Sequence, residues 1–264
     1  MFPEMFSLKG RTALVTGATH GIGMSIARGL HSAGAKLVIN GHSPERLELA
    51  VKKYTQAGIP AHAYLFDVSD ENQVVENLMK IEKEAGPIDI LVNNAAVIKR
   101  VPAVDMDLAD WQQIIQVNLT GAFVVSKHVA KQMIRRGSGG KIINMCSMMS
   151  EVGRNTVSAY AAAKGGLKML TRNLATEWAK YNIQVNGIGP GYIATEQTAP
   201  LRENGHPFDE FIRRRTPAAR WGTPDDLLGA AIFLASGASD FVTGQIIYVD
   251  GGILASLGKA QGEE

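Results

Sequence analysis

The sequence predicts an α/β fold: a doubly wound parallel sheet with helices on both faces, forming three layers in a single domain over residues 1–264. Two observations predict it. Short apolar runs alternate with longer helical patterns, as in successive βαβ units. The runs are rich in Val, Ile and Leu with little polar alternation, which is typical of strands buried on both faces. The seven runs occupy residues 13–16, 36–40, 63–66, 88–94, 141–147, 183–190 and 245–250.

Composition limits the classes of function. Hydrophobic residues make up 45% of the chain and charged residues 20%, which is enough apolar material for a large core. The net charge of +2 excludes a strong field for nucleic acid or a membrane surface, and Arg213, Arg214 and Arg215 are expected on a solvated helix face. The one cysteine, Cys146, excludes a disulfide framework and is expected to be a buried strand thiol. No apolar run approaches 18 residues and no signal-peptide pattern is seen, so we expect a soluble cytoplasmic protein.

The first apolar run ends in a glycine-rich turn, with glycines at positions 17, 21 and 23 and a helix beginning near Ile22. In parallel α/β sheets, ligands bind beyond the carboxyl ends of the strands. Backbone N–H groups of the turn and the helix N-terminus can therefore face a pyrophosphate. The spacing differs from G-x-G-x-x-G, so a purely structural turn is the alternative.

The end of the second run bears on the choice of dinucleotide. An acidic residue there would hydrogen-bond an adenosine ribose and repel a 2′-phosphate. Residues 40–43 are instead Asn-Gly-His-Ser, without a carboxylate. Because His20, His42 and Arg46 could pair with a phosphate, NADP is favoured over NAD. The alternative is that the histidines are only exposed loop residues and that both cofactors are accepted.

A tyrosine and a lysine lie four residues apart in residues 158–164, Ser-Ala-Tyr-Ala-Ala-Ala-Lys, so they share one face of a helix. A free phenol has a pKa of about 10, and a nearby ammonium group lowers such a pKa by about 1 to 3 units. We therefore expect Tyr160 to exchange protons near pH 7. Ser147, at the end of the fifth run, could stabilise charge on a substrate oxygen, with Ser150 as a rival hydroxyl.

Three motifs together resemble the classical short-chain dehydrogenase/reductase family: the glycine turn, residues 93–96 (Asn-Asn-Ala-Ala), and Tyr160-x-x-x-Lys164. The resemblance extends from about residue 8 to residue 252. One departure is Ala96, where the family usually has glycine, and we expect only a local backbone adjustment. The resemblance implies a Rossmann-type fold and a nicotinamide-dependent oxidoreductase that needs no metal.

The resemblance also implies a catalytic set of Asn118, Ser147, Tyr160 and Lys164. In this set, Ser147 donates to the substrate oxygen, Tyr160 transfers the proton, and Lys164 bonds the nicotinamide ribose. Asn118 holds a proton-relay water.

The implied cofactor site extends over the ends of several strands. Asp67 resembles the aspartate that contacts the adenine amino group, and Thr195 resembles the threonine that orients the carboxamide. The predicted cofactor site consists of Gly17, Thr19, His20, Gly21, Ile22, Gly23, His42, Asp67, Val68, Asn94, Tyr160, Lys164, Pro190, Gly191, Ile193 and Thr195.

Residues 144–191 and 216–222 resemble the family's sugar-acid dehydrogenases over longer stretches, which implies reversible conversion of D-gluconate to 5-keto-D-gluconate. A sugar acid needs a cation for its carboxylate, and Arg100 and Arg154 are the best-placed cations. Glu151 and Asn155 could hold its hydroxyl groups. The alternatives are another keto-sugar acid, a 3-ketoacyl thioester, or a cofactor-binding sensor or scaffold without turnover. The last would have no need of the complete catalytic set.

Residues 195–217 contain three of the prolines and a short charged helical pattern, which predicts an insertion that acts as a lid. The resemblance further implies a homo-oligomer, most simply a homotetramer. Its interfaces would be the helices that hold Asn118 and Tyr160 and the stretch of residues 251–255.

Overall fold

The seven predicted runs form one parallel sheet within residues 2–203 and 205–258, the part of the chain described by a computed structural model. The strands are β1 (Thr12–Val15), β2 (Lys36–Gly41), β3 (Ala61–Leu65), β4 (Ile90–Asn93), β5 (Gly140–Met145), β6 (Ile183–Pro190) and β7 (Ile246–Val249). Their order across the sheet is β3-β2-β1-β4-β5-β6-β7, and every neighbouring pair is parallel. The predicted fold class is confirmed.

Helices connect the strands and cover both faces of the sheet. The helices are α1 (Phe2–Met5), α2 (Gly21–Ser32), α3 (Pro44–Gln56), α4 (Glu71–Glu84), α5 (Leu108–Ile115), α6 (Ala122–Arg136), α7 (Ser158–Trp178), α8 (Pro207–Arg215) and α9 (Leu228–Ala235). Local signals set several of their ends. Ser43 Oγ accepts a hydrogen bond from the N–H of Arg46 at the start of α3, and Asp70 caps α4 in the same way. Such caps stabilise a helix by about 1 kcal/mol each.

Alternate residues of each strand face opposite layers of the core. Ala13 and Val15 pack in the layer that contains α2, α3 and α9, whereas Leu14 packs in the layer that contains α4, α6 and α7. All three are fully buried. Burial of a leucine side chain contributes about 1.5 to 3 kcal/mol, so the absence of polar alternation in the runs follows directly from burial on both faces.

The direction of winding reverses between β1 and β4, and this topological switch point opens a crevice at the carboxyl ends of the strands. The connections that leave β1, β4, β5 and β6 all begin at this edge. The segment of residues 195–217 follows β6 and contains a 3₁₀ helix, Glu196–Leu201, and α8. None of the described helices is both long enough and apolar enough to cross a membrane.

Candidate active site

The glycine turn after β1 is joined to the end of β4 by side-chain hydrogen bonds. Asn94 Nδ2 donates to the carbonyls of Thr16 and Gly17, both at 3.0 Å, and Thr16 Oγ1 accepts from the N–H of Asn94 at 3.0 Å. A Cβ on Gly17 would lie 2.8 Å from Ala95 Cα, and one on Gly23 would lie 2.4 Å from Asn94 Nδ2. These two glycines are therefore required by the close packing of the turn.

The N-terminus of α2 opens into the crevice. His20 is the N-cap residue, but its side chain makes no capping hydrogen bond, and its Nδ1 instead lies 2.9 Å from Thr19 Oγ1. The first N–H groups of a helix lack intrahelical partners and attract an anion. A Cβ on Gly21, whose φ is +54°, would meet only Thr195, at 3.8 Å. The glycine turn and the segment after β6 therefore approach each other at the N-terminus of α2, and the free N–H groups of that helix end suit the pyrophosphate of a dinucleotide.

The charges of three other basic side chains act on His20 in the glycine turn. Partial burial lowers the pKa of His20, and the charges of Arg46, Lys53 and His42 lower it further, while Glu196 acts in the opposite direction. The sequence prediction named the two histidines and Arg46 but missed Lys53. The signal was present, because positions 46 and 53 are seven residues apart on α3 and share one face of that helix.

Asn40, the residue before Gly41 in β2, has a structural role. It is buried; its Oδ1 accepts from the N–H of Gly17 at 3.3 Å, and its Nδ2 donates to the carbonyl of Phe66 at 2.9 Å. The side chain thus joins the glycine turn to the chain that leaves β3. An acidic residue at this buried position would lose the donor to Phe66.

The residues after β3 and β6 complete the predicted cofactor site. Asp67 Oδ1 accepts from the N–H and the hydroxyl of Ser69, and its other oxygen accepts no hydrogen bond from the described part of the chain. Val68 is buried against Gly121. After Pro190, Gly191 passes so close to Asp250 that a Cβ would lie 2.7 Å from its Cα. Farther along, buried Ile193 pairs with Gly222, and the N–H of Thr195 donates to Thr198 Oγ1.

Ser147, Tyr160 and Lys164 meet at the end of β5 and the first turns of α7. Lys164 Nζ lies 5.6 Å from the centre of the Tyr160 ring and donates to the Met145 carbonyl at 2.6 Å. The Ser147 hydroxyl is near enough to the Tyr160 hydroxyl to favour its phenolate form, which lowers the pKa of Tyr160. Ser150, the rival hydroxyl, accepts from the N–H of Ser147 and donates to the Lys164 carbonyl at 2.9 Å. Ser150 therefore braces the turn, and Ser147 faces the tyrosine.

Burial changes the pKa of both ionisable groups in this cluster. It raises the pKa of Tyr160, while the Ser147 hydroxyl and the charge of Arg100 act in the opposite direction. It also lowers the pKa of Lys164 to about 8. The net shift of the Tyr160 pKa is therefore upward, opposite to the lowering that the sequence predicts, because removal from water disfavours the charged phenolate.

Asn118 is buried and lies in a π-helical segment, Gln116–Gly121, between α5 and α6. Its Nδ2 donates to the Val97 carbonyl and its Oδ1 accepts from the Val97 N–H, both at 2.8 Å. The asparagine therefore holds the chain that leaves β4. Single-turn π-helical bulges often occur at functional sites.

Arg100 and Arg154 act on each other electrostatically, and Arg100 also acts on Tyr160. Partial burial lowers the pKa of Arg100, the charge of Arg154 lowers it further, and Tyr160 and Tyr192 act in the opposite direction. The Arg154 guanidinium lies 4.1 Å from the centre of the Phe208 ring and 5.9 Å from the centre of the Tyr192 ring. Within the described residues neither arginine forms an ion pair with a carboxylate. Two cations without a carboxylate partner therefore interact, and one of them, Arg100, acts on Tyr160.

Three further expectations have clear outcomes. Glu151, expected to hold a substrate hydroxyl group, accepts instead from Lys168 at 2.6 Å and from Tyr248 at 2.5 Å, which ties the loop after β5 to α7 and β7. Arg213 and Arg214 are exposed and pair with acidic residues one turn earlier on α8, which confirms the solvated helix face for these two, whereas Arg215 is partly buried. The Cys146 thiol is buried, and burial raises its pKa to about 11.

Comparisons with known proteins agree with this geometry. A family model described as enoyl-(acyl carrier protein) reductase matches residues 17–254. A 2-dehydro-3-deoxy-D-gluconate 5-dehydrogenase of Formosa agariphila is 60% identical over 265 residues, which cover 100% of both chains. A 5-keto-D-gluconate 5-reductase of Escherichia coli is 48% identical over 96% of this chain and 99% of its own. The solved structure of a gluconate 5-dehydrogenase from Burkholderia cenocepacia, in complex with NADP and tartrate, is 45% identical with a TM-score of 0.92, over 97% of this chain and 100% of that chain.

Proposed function

Since this chain belongs to the short-chain dehydrogenase/reductase family, we propose that it is an NADP-dependent oxidoreductase acting at C5 of a six-carbon sugar acid. The favoured pair is D-gluconate and 5-keto-D-gluconate. The observation that carries the proposal is the cluster of Ser147, Tyr160 and Lys164 beside two unpaired arginines. Proton transfer and carboxylate recognition are then available within one crevice.

A second candidate substrate is 2-dehydro-3-deoxy-D-gluconate. The relative from Formosa agariphila that carries this activity in its name is 60% identical over the whole chain, against 48% for the 5-keto-D-gluconate reductase. Both substrates have a carboxylate at C1 and the reacting centre at C5, so the same arginines and the same tyrosine serve either one. They differ at C2 and C3, where the groups around the site would have to discriminate.

The side chains supply proton transfer and charge stabilisation. When bound, the nicotinamide supplies or accepts a hydride at its C4 atom. In reduction Tyr160 gives its hydroxyl proton to the substrate oxygen, and in oxidation it takes that proton back. Ser147 donates a hydrogen bond to the same oxygen and stabilises its developing charge. Lys164, whose pKa of about 8 leaves it charged at neutral pH, stabilises the phenolate that forms when Tyr160 has given up its proton.

Asn118 is proposed to hold the water through which Tyr160 regains its proton. Its two bonds to Val97 fix the amide plane, yet the side chain keeps one further N–H donor and one further lone pair. Those two positions are what a bound water requires.

The cofactor would lie along the carboxyl ends of the strands. His20, His42, Arg46 and Lys53 support the choice of NADP, because they surround the end of β2 with positive charge where a carboxylate would repel a 2′-phosphate. The relative from Burkholderia cenocepacia contains NADP. The segment of residues 195–217 is proposed as a lid over the bound cofactor and substrate.

A steady-state panel tests the function. The substrates are D-gluconate, 5-keto-D-gluconate, 2-dehydro-3-deoxy-D-gluconate, glucose and an acetoacetyl thioester, each with NADP(H) and NAD(H) in the appropriate direction. We expect kcat/KM to be highest for a sugar acid with the NADP couple, since glucose and the thioester lack the carboxylate. A higher kcat/KM for glucose or the thioester than for all three sugar acids would contradict the proposal.

Variants of the arginines test the carboxylate site. Arg154→Gln and Arg100→Gln should each raise KM for the sugar acid about tenfold to a hundredfold, the effect of losing a charged hydrogen bond worth roughly 1.5 to 3 kcal/mol. The KM for NADP should stay within about threefold. Arg214→Gln is the matched control, because this arginine pairs with Glu210 on the outer surface of α8. An unchanged KM in both site variants would remove the assignment of the carboxylate site.

We further propose a homotetramer that works in the cytoplasm. The sheet ends on β7, a half-exposed edge strand, and α5, α6 and α7 expose Leu108, Phe123 and Met169. Exposed apolar side chains and unpaired strand edges are usually covered in a stable assembly. The one thiol of the chain is buried and unpaired, which suits a reducing compartment.

A further inference from the structure

Arg154 lies on an aromatic platform that two separate segments build. Its guanidinium carbon is 4.1 Å from the centre of the Phe208 ring and 5.9 Å from the centre of the Tyr192 ring. Phe208 belongs to α8, whereas Tyr192 follows β6. Both distances fall within the range of about 6 Å at which a cation is attracted to the face of an aromatic ring, and the shorter one corresponds to direct stacking.

The platform is itself held to the body of the protein. Tyr192 packs edge-on against Phe208 at 5.5 Å and against Trp221 at 5.6 Å. Trp221 is buried, and its Nε1 donates to Asp209 of α8 at 2.7 Å. Ile212, one turn farther along α8, is fully buried. The position of the Phe208 ring therefore depends on whether α8 is docked.

The orientation of Arg154 needs such support. Among the described residues no carboxylate pairs with it, and the like charge of Arg100 acts on it. A long side chain with no ion-pair partner samples many rotamers, and binding a carboxylate would have to select one of them. Stacking on Phe208 restricts the guanidinium before the substrate arrives, which is the general route by which preorganisation raises affinity.

We propose that Phe208 is a positioning residue that holds the Arg154 guanidinium toward the substrate carboxylate, so that the sugar acid is bound fully only when α8 is docked. This inference rests on the proposed function, because it takes Arg154 as the carboxylate ligand. It adds that α8 contributes to substrate recognition indirectly, through Arg154. The affinity for substrate would then depend on the position of α8.

The test compares variants at position 208 in steady-state kinetics. Phe208→Leu and Phe208→Met keep apolar volume but remove the ring, and each should raise KM for the sugar acid about three- to tenfold, with kcat and the KM for NADP within twofold. Phe208→Tyr keeps the ring and should restore the parental KM. Phe211→Leu is the matched control on the same helix, since Phe211 is exposed and stacks on Phe208 without lying under an arginine. Thermal unfolding of each variant verifies that it is folded.

A double-mutant comparison separates positioning from a merely structural role. In the Arg154→Gln background, Phe208→Leu should leave KM for the sugar acid unchanged, because the guanidinium on which it acts is gone. If Arg154→Gln raises KM but Phe208→Leu and Phe208→Met do not, the positioning role alone is overturned. The same holds if Phe208→Leu raises KM equally in both backgrounds. If Arg154→Gln itself has no effect on KM, the carboxylate assignment in the proposed function fails first.

Discussion

At the scale of single residues, the proposed chemistry depends on one removable proton. Tyr160→Phe keeps the ring, its packing and the face it presents to Lys164, but removes the hydroxyl near Ser147. We expect kcat to fall by at least about a hundredfold, the lower range for loss of a general acid or base. The dissociation constant for NADPH, measured by fluorescence titration, should stay within about threefold.

Ser150→Ala is the contrasting variant for this prediction. The Ser150 hydroxyl bonds the Ser147 N–H and the Lys164 carbonyl and so braces the turn between them. The variant should therefore lower the melting temperature, because it loses these hydrogen bonds, while kcat falls far less than in Tyr160→Phe. A Tyr160→Phe enzyme that keeps turnover within tenfold of the parent would remove Tyr160 from the proposed mechanism.

The pH dependence follows from the pKa of Lys164, which burial lowers to about 8. Below that pH the ammonium is charged and stabilises the phenolate formed when Tyr160 donates its proton. Above it the charge is lost, so kcat/KM for reduction of the keto acid should fall as the pH rises through about 8. Initial rates measured between pH 6 and 10 test for this fall in kcat/KM.

Lys164→Arg tests whether loss of the Lys164 charge causes the fall in kcat/KM at high pH. A guanidinium stays charged throughout this range, so the fall should move to higher pH, whatever the absolute rate of the variant. A parent profile that stays flat to pH 10 would show that the charge of Lys164 does not control the proton transfer.

At the scale of elements, the ends of strands matter more than their middles. The turn between β1 and α2 is held by Asn94 from β4 and by Asn40 from β2, so three neighbouring strands cooperate to present one helix N-terminus. The glycines at 17 and 23 admit these contacts because they carry no side chain. The dinucleotide site is thus a property of three connections, and none of them forms it alone.

Cofactor choice is predicted at the junction of β2 and α3. His42→Asp replaces an exposed basic group by a carboxylate that can accept from the ribose and repels a 2′-phosphate. The ratio of kcat/KM for NADP to that for NAD should fall at least about tenfold, in line with the loss of a charge-assisted hydrogen bond. Position 42 is used because a Cβ at Gly41 would lie 2.6 Å from Thr19 Cγ2.

His62→Asp serves as the matched control for cofactor choice. His62 is also exposed, but it lies in the first half of β3, away from the carboxyl ends of the strands. The cofactor ratio should not change in this variant. A parent enzyme that already prefers NAD by tenfold or more would contradict the role given to the four basic side chains.

At the scale of the whole molecule, the exposed apolar faces predict association. Light scattering coupled to gel filtration should give a mass about four times the 28.3 kDa of the chain. Phe123→Glu places a charge on the exposed face of α6 and should reduce the assembly to a smaller species. Leu49→Glu makes the same kind of change on the exposed face of α3, outside the proposed interfaces, and should leave the mass unchanged. A monomeric parent would contradict the tetramer.

Local patterns were sufficient for the fold class and for much of the candidate site. Burial on both faces leaves uninterrupted apolar runs, so the seven strands could be identified from residue type alone. Helical periodicity places Tyr160 and Lys164 on one face, and the glycine spacing marks the turn after β1. These features depend on residues close together in the chain, which is why the sequence by itself determined them.

Only the tertiary structure decided which distant groups meet and how far they are buried. Asn93, for example, donates to Ser126 and Asn144, which lie 33 and 51 residues farther along the chain. Lys53 joins the basic cluster, Glu151 pairs with Tyr248, and Arg154 stacks on Phe208 by the same kind of long-range contact. Burial also reversed the expected direction of the Tyr160 pKa shift, because removal from water depends on how distant parts of the chain pack around the phenol.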